Sequence, residues 1–73
     1  MDLATAQQLV SSILGKKISY KKENGESRLF TVVSVENFDL AKSTGKWYLR
    51  GKLIDHNDNN EEKERTLHLE GIS

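Results

Sequence analysis

The chain has 73 residues, no cysteine, and equal numbers of acidic and basic side chains, so its formal net charge is zero. A chain this short supports one core, so we expect a single domain over 1–73, with neither a disulfide framework nor a cysteine-based metal site. Without cysteine, a signal-peptide pattern or a bilayer-length apolar run, the sequence predicts a cytoplasmic protein with no membrane association.

The charges are unevenly distributed along the chain. Residues 42–52 contain four basic side chains and no acidic one, whereas residues 55–64 contain five acidic side chains and only Lys63 as a cation. Neutrality argues against coating nucleic acid by bulk attraction, but this separation predicts distinct basic and acidic regions.

The N-terminal segment is predicted to form one amphipathic helix over about 3–14. Asp2 stands where an N-cap belongs, and Gly15 is placed to end the helix in a left-handed conformation. Apolar residues recur at helical spacing, at Leu3, Ala6, Val10, Ile13 and Leu14.

After the helix the apolar period changes to two, which predicts a first strand ending near Lys21. Asn24-Gly25 then predicts a hairpin with a type I′ turn, since that turn needs positive φ at both central positions. The next segment, Arg28 to Val35, is an almost continuous apolar run. We therefore expect a second strand covered partly on both faces, with the helix as one cover.

A connection through residues 37–45 leads to a third predicted strand over 46–54. Alternation places Trp47 and Leu49 on one face with Gly51 and Leu53, and most simply in the core. The opposite face contains Tyr48, Arg50, Lys52 and Ile54.

A polar loop over 55–60 precedes a fourth predicted strand of about 63–69, in which Leu67 and Leu69 face inward and His68 faces outward. Gly71-Ile72 is expected to add a last short pairing. The predicted fold is therefore mainly β: an N-terminal α-helix followed, over about 16–72, by a small four- or five-stranded antiparallel Sm-like or SH3-like barrel.

Four sequence blocks in this order resemble the WYL domain, whose pattern runs approximately I-x-Y, R-x-V-x-P, WYL-x-A and R-x-F-R-L-D-R-I. The resemblance covers about 17–72 and implies an Sm-like barrel and a stand-alone, minimal member. The blocks are Ile18-Ser19-Tyr20, Arg28-Leu29-Phe30, Trp47-Tyr48-Leu49 with Gly51, and Arg65-Thr66-Leu67-His68-Leu69-Glu70-Gly71-Ile72.

The chain departs from that pattern at four positions. Val32 replaces the usual proline and Gly51 the usual alanine, while His68 and Gly71 replace two arginines of the last block. WYL domains usually accompany a helix-turn-helix domain or a nucleic-acid enzyme, neither of which is present here. DNA binding through a helix-turn-helix therefore does not carry over.

The third strand presents an aromatic ring between cations on one face, a pattern that can stack a base and pair with phosphates. The alternative is a solvated strand face. Arg28 and Arg65 match arginines that contribute to a basic ligand-binding surface in the family, and salt bridges to Glu26, Glu64 or Glu70 are their alternative. The predicted ligand or nucleic-acid set is Tyr20, Arg28, Tyr48, Arg50, Lys52, Arg65 and His68.

No residue pattern predicts a metal, a cofactor or catalysis. The loop over 55–60 lacks the EF-hand glycine and has Thr66 at the twelfth position, so a solvated hairpin loop is expected. His56 and His68 have no zinc-type spacing partner. We therefore expect a protein that is not an enzyme.

These observations leave three alternatives for function. The first is a regulatory binding module for single-stranded nucleic acid or a nucleotide-like anion. The second is a protein-interaction adaptor or inhibitor acting on a larger protein, and the third is an Sm-like oligomer.

Overall fold

A computed structural model describes residues 1–72 and shows one helix followed by a four-stranded antiparallel sheet. The strands are neighbours in chain order, β1-β2-β3-β4. The elements are α1 (Leu3–Ile13), β1 (Lys17–Lys21), β2 (Ser27–Ala41), β3 (Lys46–Asp55), β4 (Glu61–His68) and a 3₁₀ turn (Leu69–Gly71). Within the described residues, no helix combines the length and apolarity needed to cross a bilayer.

The predicted helix, its N-cap and the left-handed Gly15 are confirmed, and the helix ends at Ile13 because Leu14 is already extended. The Thr5 backbone N–H donates to Asp2 Oδ1 at 2.8 Å, which satisfies one of the free donors of the first turn. Gly15 has a φ of +76°, and its N–H donates to the Val32 carbonyl at 2.7 Å. Ile13 is buried, so both packing and this hydrogen bond attach the end of α1 to β2.

The turn between β1 and β2 differs from the prediction. Of Asn24 and Gly25, the two residues expected at the centre of the turn, only Gly25 has a positive φ, at +89°. The Gly25 N–H donates to the Lys22 carbonyl, and the Lys22 N–H donates to the Glu26 carbonyl. This is a three-residue loop with glycine in the left-handed position, not a type I′ turn. The two successive positive φ values that a type I′ turn requires occur in the β3–β4 loop, at Asn59 and Asn60.

Strand β2 is much longer than predicted, because the segment expected to connect it to β3 is itself strand as far as Ala41. Its register against β3 shifts twice, between Val32 and Ser34 and between Val35 and Asn37. Each shift is a β-bulge, which moves the side-chain alternation by one residue and increases local bending. The apolar run is consequently not covered on both faces: Val33 and Leu29 remain about 40% exposed.

The core lies between α1 and the inner face of the sheet. Leu49 is fully buried, and Trp47 packs against the core with its ring stacked on Phe38 at a centroid distance of 5.3 Å. The inward orientation predicted for this face of β3 is therefore confirmed. The buried apolar residues are Ala6, Ile13, Ile18, Tyr20, Phe30, Val32, Leu49, Leu53, Leu67 and Leu69.

The sheet is not closed into a barrel, so this part of the prediction is wrong. In the described residues, β4 forms no ladder with β1. One isolated bridge joins Tyr20 to Ile72, which confirms the predicted final pairing but closes the gap only at that point. The rest of the gap between β1 and β4 is an open cleft.

Gly51 is the closest contact between β2 and β3. A Cβ at this position would overlap the carbonyl oxygen of Ser34 and would lie 2.9 Å from its carbonyl carbon. Ser34 directly follows the first bulge, so the bulged backbone occupies the space that a side chain at position 51 would need. This close approach gives a steric reason for glycine where the WYL pattern has alanine.

We therefore expect Gly51→Ala to lower the free energy of unfolding by about 2–3 kcal/mol, because the bulge must move to admit the methyl group. Urea denaturation followed by tryptophan fluorescence measures the change. The control is Lys52→Ala, the exposed neighbour, for which we expect a change within about 0.5 kcal/mol. Equal midpoints for the two variants would show that the bulge adapts without strain.

Candidate functional site

A cleft of about 330 Å³ lies between the end of the β1–β2 hairpin and β4; we call it the β1–β4 cleft. It combines an apolar floor with four cationic and two acidic side chains. Its lining residues are Tyr20, Lys22, Arg28, Phe30, Asp55, Asp58, Lys63, Arg65, Thr66 and Leu67.

Sheet register brings these residues to one face. Tyr20 is paired with Arg28 and Phe30 with Asp55, while Arg65 is paired with Gly51, a core-facing position of β3. Side chains at paired positions lie on the same face of a sheet, so residues distant in sequence converge on the inner face. Tyr20, Phe30 and Leu67 are buried and form the floor of the cleft.

Asp55 is the one buried charged residue in the described chain, with only 3% of its surface exposed. Its Oδ2 lies 3.5 Å from Arg28 Nη1 and 3.8 Å from Lys63 Nζ, and its Oδ1 accepts the Asn57 N–H at 2.9 Å. A buried carboxylate is tolerated when cations and hydrogen bonds compensate it. Asp55 therefore connects β2, β3 and β4 beneath the cleft.

The loop over 55–60 is bound to the sheet rather than fully solvated. The His56 N–H donates to the Leu29 carbonyl at 3.0 Å, and the Leu29 N–H donates to Asn57 Oδ1 at 2.7 Å. The His56 ring also bridges Thr31 and Asn60. In residues 1–72 no group of three ligating side chains is arranged to hold a metal ion.

Lys63 organises the acidic side of the cleft. Its ammonium hydrogen-bonds to Asp58 and also lies within 4 Å of Asp55 and Glu61. The hydrogen bond from Lys63, together with its positive charge, lowers the pKa of Asp58 below the ordinary value of 3.8. Arg28 and Arg65 contribute smaller effects in the same direction, so all three cations act on this carboxylate.

Arg65 differs from the other cations of the cleft. Arg28 lies 3.0 Å from Glu26, and Lys22 lies 3.8 Å from the same carboxylate. The Arg65 guanidinium donates to the Glu64 backbone carbonyl at 3.1 Å and forms no ion pair with any described residue. It therefore retains donors for an external anion.

The predicted cationic face of β3 exists, and its Arg50 is paired within the protein. Arg50 Nε lies 3.2 Å from Glu64, and its Nη1 donates to Thr66 Oγ1 at 2.9 Å. Lys52 stands opposite Glu64 in register, and the Tyr48 hydroxyl accepts a hydrogen bond from Asn37. Glu64 thus neutralises Arg50 on this surface, which lies on the opposite side of the sheet from Arg65.

His68 stands where β4 comes closest to β1. Its backbone N–H donates to the Tyr20 hydroxyl at 3.2 Å, and its Nδ1 is shielded from solvent without a hydrogen-bond partner in the described structure. His68 is paired with Tyr48, which places its side chain on the outer face as predicted, and it is half-buried there.

Gly71 passes directly over Tyr20. A Cβ at position 71 would lie 2.7 Å from Tyr20 Cε1 and 2.6 Å from the Lys21 carbonyl oxygen. The arginine of the WYL pattern has no space here unless the chain moves.

The seven predicted site residues therefore separate into two groups and one junction. Tyr20, Arg28 and Arg65 meet in the β1–β4 cleft, His68 lies at the junction of β1 and β4, and the remaining three occupy the opposite face: Tyr48, Arg50 and Lys52. The sequence prediction missed Lys22, Asp55, Asp58 and Lys63. For Lys63 a signal existed, since it is the only cation in the acidic run over 55–64.

Comparison with protein-family models, with curated proteins and with solved structures found no match.

We expect Asp55→Asn to lower the free energy of unfolding by about 1–3 kcal/mol, because Arg28 and Lys63 lose their shared counter-charge inside the cleft. Chemical denaturation at neutral pH measures this change in the free energy of unfolding. Glu64→Gln removes an exposed carboxylate that is paired with Arg50, and should cost less than about 1 kcal/mol. An equal effect of both substitutions would mean that the burial of Asp55 does not increase its contribution to the free energy of unfolding.

The ion pair between Asp58 and Lys63 predicts a pH dependence of stability. Because the folded pKa of Asp58 is below 3.8, its stabilising contribution is complete above that pH and disappears as the pH falls through the lowered pKa. In acid titrations of unfolding free energy, Asp58→Asn should show a shallower decline below pH 3.8 than the unsubstituted protein. Parallel curves would contradict this contribution.

Proposed function

We propose that this protein is a non-enzymatic regulatory module that binds the phosphate of a nucleotide-like ligand or of single-stranded nucleic acid in the β1–β4 cleft. The observation that carries the proposal is Arg65, a cation without a carboxylate partner among the described residues, beside an apolar floor. A guanidinium presents paired donors that match the oxygens of a phosphate.

The remaining cations support the same chemistry. The Lys22 side chain is about 42% exposed and, among the described residues, pairs only with Glu26, so it can reorient toward a stronger anion. Arg28 also pairs with Asp55 and stays at the floor of the cleft. Asp55 and Asp58 hold Lys63 in place on the opposite wall. A phosphate in the cleft would therefore meet positive charge from both walls.

The proposal also includes membership of the WYL domain family and a cytoplasmic location. Support for the family comes from the four sequence blocks, of which Tyr20, Arg28 and Arg65 all line the cleft. Support for the location comes from the absence of cysteine.

A protein-interaction adaptor is the second candidate function. The observation that favours it is the outer edge of β4, which pairs with no other strand of the described chain.

Fluorescence anisotropy with labelled ATP and labelled single-stranded DNA and RNA, across a salt series, tests phosphate binding. We expect affinity to fall steeply with salt, and Arg65→Gln to weaken binding about tenfold or more, because one charge-assisted contact is worth about 1.5–3 kcal/mol. The matched control is Arg50→Gln on the opposite face, which should change affinity by less than about threefold, because Arg50 is already paired within the protein.

Two outcomes contradict this assignment. Absence of salt-sensitive binding to all three probes removes the proposed function. A larger effect of Arg50→Gln than of Arg65→Gln moves the site from the cleft to the opposite face of the sheet.

A further inference from the structure

The outer edge of β4 is the edge that does not pair with β3. It faces β1 across the β1–β4 cleft and is an open strand edge. On one side β4 pairs with β3 along eight positions, from His68 opposite Tyr48 to Glu61 opposite Asp55. On the other side no strand or bridge of the described chain pairs with it, whereas the β1 edge is met by Ile72. An unpaired strand edge offers backbone donors and acceptors to another extended chain.

Two hydrogen bonds identify which backbone groups point to this edge. The His68 N–H donates outside the sheet to the Tyr20 hydroxyl, and the Glu64 carbonyl accepts from the Arg65 side chain. In an antiparallel pair, every second residue directs its N–H and C=O away from the partner strand. Thr66 lies two residues from each of them in the strand, so its N–H and C=O point to the same, unpaired side of β4.

The side chains along this edge alternate in charge. Lys63 and Arg65 project on the inner face, where they line the β1–β4 cleft, while Glu62 and Glu64 project on the opposite face. Residues that face each other on neighbouring strands are stabilised by opposite charge and destabilised by like charge. A strand added here is therefore favoured when its inner side chains are acidic and its outer side chains basic.

A second copy of β4 does not fit this pattern. Two-fold antiparallel pairing centred on Glu64 would set Lys63 opposite Arg65, and pairing centred on Lys63 would set Glu62 opposite Glu64. Both registers oppose like charges. Pairing centred on Thr66 would need the His68 N–H, which already donates to the Tyr20 hydroxyl. The edge consequently favours a different chain over its own copy.

We propose that the edge of β4 over 62–66 binds an extended peptide of a partner protein by strand addition, and that this peptide alternates acidic and basic side chains. Backbone hydrogen bonds to Thr66 supply affinity, and the charges of Glu62 and Arg65 select the sequence, because Lys63 and Glu64 are already paired within the described chain. This interaction goes beyond phosphate binding, because it depends on backbone groups that a phosphate in the cleft does not require.

The test uses the full chain labelled with ¹⁵N and a capped peptide in which Glu and Lys alternate between flanking threonines. We expect chemical-shift changes at the amides of Thr66 and its β4 neighbours, with saturation on titration. A peptide of the same composition with its Glu and Lys residues in separate blocks should bind about fivefold more weakly or worse, because two opposed like-charge pairs each cost up to about 1 kcal/mol.

A proline substitution isolates the backbone contribution. Thr66→Pro removes the outward N–H and is tolerated at an edge position of this kind, so it should weaken peptide binding at least about tenfold. The matched control, Thr66→Ala, removes the hydroxyl but retains the N–H and should bind the peptide like the unsubstituted chain. Dispersed amide spectra verify that each variant is folded.

If Thr66→Pro does not fold, Glu62→Lys decides the question. Glu62 is exposed and lies outside the cleft, so this substitution breaks the charge alternation at the edge and should weaken the alternating peptide while labelled ATP still binds. Failure of the alternating peptide to shift β4 amides, or equal binding by Thr66→Pro, overturns strand addition and leaves phosphate binding to be judged by the nucleotide probes. A dimeric mass in light scattering, with β4 amides protected from exchange, also overturns it by assigning the edge to a second copy.

Discussion

The structure depends on one close contact, in which the Ser34 carbonyl of β2 occupies the space beside Gly51 of β3. Because position 51 has no side chain, β2 can pass this point and remain paired with β3. Its two bulges lie between Val32 and Ser34 and between Val35 and Asn37. Bulges bend and twist a strand, so this contact sets the curvature of the sheet. That curvature brings the β1–β2 hairpin toward β4 without closing the barrel.

The cleft follows from this incomplete closure. Tyr20 bridges to Ile72 and accepts a hydrogen bond from His68, so one end of the β1–β4 gap is held together. Toward the other end, buried Asp55 holds Arg28 and Lys63 in place. The pairing of those two cations leaves Arg65 as the cleft cation without a carboxylate partner in the described chain.

Strand β4 thus presents two different kinds of recognition surface. Its inner side chains contribute cationic groups to the cleft, while its backbone edge offers hydrogen-bonding groups that do not depend on side-chain identity. Arg65 belongs to both surfaces, since it lines the cleft and borders Thr66. A phosphate ligand and an added peptide strand would therefore compete for the same guanidinium.

Local chemistry in the sequence was enough to determine several elements correctly. The cap at Asp2, the left-handed Gly15, the alternation of Trp47 and Leu49 against Tyr48, and the last pairing at Ile72 were all predicted. Each depends on a residue's own conformational preference or on a two-residue period, and neither requires knowledge of a distant partner. The sequence prediction grouped Tyr20, Arg28 and Arg65 with four other residues, and only these three of the seven line the cleft.

Only the tertiary structure decided where the side-chain alternation of β2 shifts, that Asp55 is buried, and on which side of the sheet each cation lies. The length of β2 beyond Val35 depends on pairing with β3, and its bulges depend on the space beside Gly51, neither of which has a local signature. Asp55 is acceptable in the interior because Arg28 and Lys63 reach it from other strands. The sequence by itself determined which residues alternate, and long-range packing decided where the alternation shifts and which charges meet.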